Sequence, residues 1–448
     1  MGFFVIVHFK ETKMEKYIAK STTIQDVAST SVRWKIFWLL LLLITINYID
    51  RASLSVAMPL ISKEFHIGPA IEGLLLSSFF WTYALMQIPG GMLADRYGPR
   101  VVIAGATVGW GLFQALAAAS IGWSGLLIAR LGLGTAEAPI YPAGGKLNSL
   151  WMTKNERGRG ATLLDGGAPL GSALGGIIIA GLIAYLGSWR LSFVLAGVGT
   201  MIVGYFAWRF IRNNPSEHPG VNSVEISHIE DSHAKERALE PRGGNSKFIE
   251  IFRYRSVWGM FFGWLCFNVL FYGLLTWMPT YLSEVQGLDI KQIGGAIFIM
   301  FFSGFIGELV GGWLADRWKA TGASEGNVLR VMFGFASLIA SISIFSVAEV
   351  KNPMVIIGLL SSTLFFLRWC GLYWSLPSII ATHDRVGALG GVMNLGGNVA
   401  GIGVPIAVGF IVQTTGSFYL GIMLFAAAGV GLFICSTLLI DYTKKVLV

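Results

Sequence analysis

Charge is scarce in this chain. Only 13% of its 448 residues are Asp, Glu, Lys or Arg, while 54% are hydrophobic. A soluble domain carries about 25% charged residues, so a soluble globular fold is excluded. Cysteine is nearly absent: Cys266, Cys370 and Cys435 each lie in an apolar run, without metal-like spacing. They read as small buried hydrophobes, not as a disulfide framework or a metal site. No nucleotide, haem or metal motif appears, and no His/Asp/Ser set is placed for catalysis. This argues against an enzyme and against a bound cofactor. No Asn-x-Ser/Thr sequon occurs, which speaks against a glycosylated surface or vesicle protein. The run Phe3-Phe4-Val5-Ile6-Val7 is too short for a span or a signal-peptide core. Met14 opens an ordinary polar tail and is an alternative start to Met1.

Apolar runs of span length are abundant. A membrane-crossing helix needs roughly 20 apolar residues. Such stretches recur at about 34–60, 71–92, 101–120, 125–147, 160–186 and 190–212. Six more follow at about 254–284, 291–315, 328–347, 353–381, 386–414 and 418–441. The pattern predicts an all-α membrane protein with twelve spans: a tail over 1–33, six helices over 34–212, a polar linker over 213–252, and six helices with a short tail over 253–448. The loops after even-numbered spans hold Arg96, Arg100, Lys146, Arg157, Arg317, Arg330 and Arg385, while the other side keeps Lys63, Arg190, Lys291 and Lys351. By the positive-inside rule both termini and the linker are cytoplasmic. The net charge of +8 is accounted for by these loops, not by a nucleic-acid surface.

Against this background, a few charges sit where they are expensive. Asp50 and Arg51 adjoin each other inside the first span. Each costs about 2.5–3.5 kcal/mol at a helix centre. In the fourth span Arg130 and Glu137 are seven residues apart, two turns along one face. Two acids and two bases in one half form a set that accepts protons one at a time; the alternative is a permanent ion-pair lattice that orders the helices. Asp165 and Arg368 are further charges in apolar stretches of opposite halves. They predict an ion pair closing across a central cavity, or else a second carboxylate site at Arg368; the plain alternative to both is an Asp165 that stays solvated near cytoplasmic water.

The chain also repeats itself. Gly90-Gly91-Met92-Leu93-Ala94-Asp95-Arg96 returns as Gly311-Gly312-Trp313-Leu314-Ala315-Asp316-Arg317, and Gly187-Ser188-Trp189 as Gly416-Ser417-Phe418. Repeated six-span halves point to a secondary transporter with its site at the midplane. Asp95 and Asp316, at helix ends, are candidates for conformational latches with Gly91, Arg96 and Arg317, by bonding a helix N-terminus or a nearby Arg; simple turn chemistry is the alternative.

Gly91-x-Leu93-Ala94-Asp95-Arg96-x-Gly98-x-Arg100 resembles the loop signature of the major facilitator superfamily. Asn47-Tyr48-Ile49-Asp50-Arg51-Ala52-Ser53-Leu54, Gln87-Ile88-Pro89-Gly90-Gly91 and Glu137-Ala138-Pro139-x-x-Pro142 are similar to the anion:cation symporters within it. The resemblance covers nearly the whole chain from Trp34. It implies two pseudo-symmetric six-helix bundles in a bacterial inner membrane, acting as a monomer and importing a small organic anion, a sugar acid above all, with protons by alternating access. It implies no cofactor beyond the proton gradient, and no nucleic-acid partner. It assigns proton coupling to Asp50 and Glu137, with Arg130 beside them, and the substrate carboxylate to Arg51. Tyr48, Tyr83, Trp374, Ser375 and Asn394 would line the substrate site, with Asp165 and Arg368 as additions of this chain. Two departures imply that the carboxylate-binding end is kept and the rest of the pocket rebuilt: Ala168 where the sugar-acid carriers have Gln, and Tyr373 where they have a small hydroxyl residue. Carriers of phthalate, tartrate or phosphate-type anions therefore stay open, as does a transporter-like sensor.

Overall fold

The computed structural model describes residues 28–153, 156–239, 248–380 and 386–443. Among these residues the chain is helical, with no strand. The first half comprises α1 (Val32–Phe65), α2 (Pro69–Tyr97), α3 (Pro99–Leu116), α4 (Trp123–Glu137), α5 (Ile140–Trp151), α6 (Arg157–Leu186) and α7 (Trp189–Phe210). The polar α8 (Ser223–Leu239) lies in the linker. The second half comprises α9 (Arg255–Glu284), α10 (Ile290–Lys319), α11 (Glu325–Val347), α12 (Pro353–Leu367), α13 (Leu376–Ile380), α14 (Val386–Thr415) and α15 (Tyr419–Ile434).

Among the described residues, eleven helical segments are long and apolar enough to cross a membrane. The fourth span, expected as one helix, is instead two: α4 and α5 part at Ala138-Pro139. Proline has no N–H to donate and its ring crowds the carbonyl a turn earlier, so a break is favoured here. The tenth span is interrupted at the equivalent place of the second half, where a 3-10 segment, Arg368–Ser375, separates α12 from α13. Together they complete the twelve-helix architecture.

The packing follows the sequence repeat. In the first half α1 packs along α6 and α3 along α7; in the second α9 packs along α14 and α11 along α15. Two long contacts join the halves, α6 with α10 and α14 with α2. At the end carrying the α1–α2 turn the halves touch backbone to backbone. A Cβ on Gly73 would stand 2.3 Å from the Pro405 carbonyl oxygen, and one on Gly409 2.4 Å from that of Pro69. The Ala70 amide donates across this seam to Gln413 Oε1 at 2.9 Å.

The linker helix α8 sits on the first half. Glu225 accepts from the Thr30 hydroxyl at 2.6 Å, from the amides of Val32 and Arg33 at 3.2 Å, and from Arg33 Nη1 at 2.8 Å. It thus satisfies the free N–H groups that open α1. Arg33 also holds Glu156, between α5 and α6, at 3.0 Å.

Candidate functional site

Adjacent helical residues leave the axis about 100° apart, so Asp50 and Arg51 point different ways. Asp50 turns into the first half, where its Oδ2 accepts from the Trp110 indole on α3 at 3.1 Å and the Thr200 hydroxyl on α7 at 2.8 Å. Arg51 reaches the α4–α5 break. Its Nη2 lies 2.9 Å from Glu137 Oε2, and the two side chains are 3% and 0% exposed. Nη2 also donates to Asn47 Oδ1 at 3.3 Å. The guanidinium carbon stands 4.5 Å from the Tyr48 ring centroid, 4.3 Å from that of Phe79 and 5.1 Å from that of Tyr83. Such rings stabilise a desolvated cation by about 2 kcal/mol or more each at best. Arg130 is buried on the same helix as Glu137, its guanidinium 5.5 Å from the Phe79 ring. Among the described residues it forms no ion pair. The four charges are thus one direct pair, one carboxylate held by neutral donors, and one cation among rings.

A cavity of about 120 Å³ lies between the halves. At roughly 10–15 Å³ per water position it admits on the order of ten non-hydrogen atoms, the size of a small organic acid. Tyr48, Tyr83, Asp165, Arg368, Trp374 and Asn394 line it. Arg51 and Ser375 are not in that lining: Arg51 stands behind Tyr48 and Tyr83, and the Ser375 hydroxyl donates to the Leu372 carbonyl at 2.7 Å. A wider open cleft of about 900 Å³ opens at the end of the molecule near Pro69 and Gln413. Arg368 of one buried ion pair lines the central cavity, and Arg51 of the other stands against the cavity-lining Tyr48 and Tyr83, which makes that cavity the candidate site.

Two expectations are corrected. Arg368 does not pair with Asp165. Its Nη2 meets Glu308 Oε2 of α10 at 2.6 Å, within its own half. A helix neighbour offers a shorter reach than a residue across the cavity, and Asp165 acts on both only through space. Tyr373 does not rebuild the cavity wall: it is fully buried, bonding Ser436 Oγ at 2.5 Å and packed near Trp264 and Phe333. Gly371 and Ala168 line the cavity instead.

The helix-end motifs find lysines, not arginines or helix N-termini. Asp95 pairs with Lys146 at 2.7 Å and Asp316 with Lys319 at 2.9 Å. Arg96 lies over Tyr97 and Arg317 over Trp313, each on its own helix. Gly91 faces Pro142 of α5, and a Cβ on neighbouring Gly90 would meet Pro139 at 2.7 Å, so α2 packs onto the α4–α5 break.

Sequence reasoning passed over Glu308, although the repeat marks it. Aligning the paired glycines sets Gln87-Ile88-Pro89-Gly90-Gly91 over Glu308-Leu309-Val310-Gly311-Gly312. Gln87 lines the cavity and Glu308 flanks it. Trp110 and Thr200 had no signal, because nothing in an apolar run says which helix will face Asp50.

Helices interrupted at corresponding positions of two halves mark the site in secondary transporters, and the breaks at Pro139 and Arg368 do so here. Comparison with known proteins agrees. The family model described as Major Facilitator Superfamily matches residues 40–405. A probable sulfoacetate transporter of Cupriavidus necator is 32% identical over 423 residues, covering 91% of this chain and 95% of that protein. A probable galactarate/D-glucarate transporter of Escherichia coli is 29% identical, covering 87% and 89%. The solved D-xylose-proton symporter superposes with a TM-score of 0.73 at 14% identity, covering 92% and 99%; this speaks for the fold alone. The chain is a multi-pass membrane transporter, not an enzyme, and it belongs to the Major Facilitator Superfamily.

Proposed function

We propose that this chain is a proton-coupled importer of small organic anions, sugar acids foremost, working by alternating access. The observation that carries the reading is the buried Arg51–Glu137 pair behind the cavity-lining Tyr48 and Tyr83. A guanidinium held by one carboxylate can exchange it for another, a substrate's, once the resident acid takes up a proton. Asp50, bonded to Trp110 and Thr200, would hold a second proton within the first half. Arg130 would balance their charge.

Tyr48, Tyr83 and Trp374 would stack on the carbon chain, and Asn394 would bond its hydroxyls. The named substrates of the relatives, aldarates and sulfoacetate, are small and strongly acidic. The reading includes a bacterial inner membrane, both termini in the cytoplasm, and a monomer divided at the 213–252 linker. The helix-end sets around Asp95 and Asp316 would hold one conformation of each half.

Counterflow into proteoliposomes against a panel of aldonates, aldarates, hexuronates and sulfoacetate tests it. At least one of these acids should exchange, and an inside-alkaline gradient should drive its net uptake. Exchange of none of them, or uptake indifferent to the gradient, would sink the corresponding part of the reading.

A further inference from the structure

The second half has a buried ion pair of its own beside the cavity. Arg368 is 6% exposed, lines the cavity, and gives Nη2 to Glu308 Oε2 at 2.6 Å. Its guanidinium carbon stands 5.8 Å and 5.5 Å from the rings of Phe267 and Phe271. Its Nε has no hydrogen-bond partner among the described residues. A buried donor left open costs about 1–3 kcal/mol, more when charged, so the fork is incomplete as it stands. The other titratable groups acting on Arg368 are Asp165 from α6, Tyr48 from α1 and Cys370 on its own turn.

Of the pair, Arg368 is the member that lines the cavity. Glu308 takes Nη2 alone, so the guanidinium keeps its open Nε for a further acceptor, and a substrate oxygen there completes a two-pronged site. A pair serving only to brace the 3-10 break would have no use for that open donor.

We propose that Arg368 receives a second ionised group of the substrate, so that the carrier selects acids with an anionic group at each end. The inference rests on the organic-anion reading above and adds to it a substrate class. It makes the two Arg–Glu pairs, one per half, the two ends of one ligand.

Matched acids test this. D-Glucarate and D-gluconate differ only in a terminal carboxylate against a hydroxymethyl group; sulfoacetate and glycolate make a shorter pair. Binding to the purified protein is measured at neutral pH. The dianion of a pair should bind tighter by roughly 10- to 100-fold, the range for one charge-assisted hydrogen bond. Arg368→Gln should bring the ratio toward one. Glu308→Gln frees Nη2 while keeping the cation and should keep the preference. The double variant Arg368→Gln/Glu308→Gln removes both members of the contact pair and should also bring the ratio toward one, which settles the matter if the single variant misfolds. Equal affinities in the wild type overturn the proposal, as does a preference that survives the double variant, or a double variant that loses both acids in equal proportion. If the wild type binds none of the four acids, the organic-anion reading falls with it, and that outcome is distinct from the others.

Discussion

Arg51 and Glu137 meet end to end, not fork to fork. One contact of 2.9 Å joins Nη2 to Oε2, while Arg51 Nε and Glu137 Oε1 have no hydrogen-bond partner among the described residues. A bidentate pair would be stronger and harder to part. A single-pronged pair in a buried site ties the two helices together yet leaves each partner an unused donor or acceptor for something else.

Glu137→Gln keeps the shape and removes the exchangeable proton. Taking one partner from a buried pair costs about 3–5 kcal/mol. Gradient-driven uptake should fall by at least about tenfold, about 1.4 kcal/mol on the barrier, because Gln has no proton to release. Counterflow should persist. Wild-type net uptake by the variant in pH-jump assays would remove Glu137 from coupling.

Asp50 depends on Trp110 and Thr200 for its hydrogen bonds. Trp110→Phe withdraws one donor from a buried carboxylate, a change of roughly 1–3 kcal/mol. The variant should unfold at lower temperature and transport more slowly than the wild type. Thermal unfolding in detergent that matches the wild type would show that the indole contact carries no weight.

Glu156 lies outside the spans and gives a pH signature. Burial opposes its ionisation, but hydrogen bonds from Arg33 and Thr153 outweigh burial and hold its carboxyl below the ordinary 4.5. A depressed folded value means stability that is present above the unfolded pKa and is lost as pH falls through the folded one. The melting temperature of Glu156→Gln should therefore lie below wild type at pH 7. The two should converge as pH drops below about 4.5. A gap that stays constant from pH 7 to pH 3 contradicts this account of the clamp.

The seam between Gly73 and Pro405 admits no side chain. Gly73→Val should hold that end of the molecule open while the helices still form. A cysteine at Gln413 should then react faster with a bulky thiol reagent than in the parent carrying the same cysteine. Equal reaction rates would mean the seam yields to a branched side chain without parting.

Orientation is checked separately. Glu230 lies on α8, in the linker assigned to the cytoplasm. Glu230→Cys should resist an impermeant thiol reagent in intact cells and react after the cells are opened. Labelling from outside would invert the topology.

Much of the fold could be read from the chain, because a span is a one-dimensional property: length and hydropathy fix it. The repeat of Gly90–Arg96 as Gly311–Arg317 supplied the two halves, and intramembrane charge supplied the site. Tyr48, Tyr83, Asp165, Arg368, Trp374 and Asn394, spread over both halves of the sequence, share the lining of one cavity. What could not be read was direction. Tyr373 and Trp374 are neighbours, yet one is fully buried in the second half and the other faces the cavity. Neighbours diverge in any helix, by about 120° in the 3-10 segment 368–375, and the sequence does not say which of the two meets the cavity. The Arg368–Glu308 pair was likewise hidden, because it depends on which face of α10 turns toward the break.

The helix α8 has a bearing on how the protein is made. Glu225 caps the start of α1, and His233 contacts the Met152 carbonyl at 3.0 Å, so its described hydrogen bonds run to the first half. Synthesis proceeds from the N-terminus, and domains form as they emerge. The opening turn of α1, among the earliest described parts of the chain, therefore waits for its carboxylate partner until some 190 residues later. Once that partner arrives, the first bundle is closed at its polar end before any of α9 has left the ribosome. The second bundle then assembles against a finished surface.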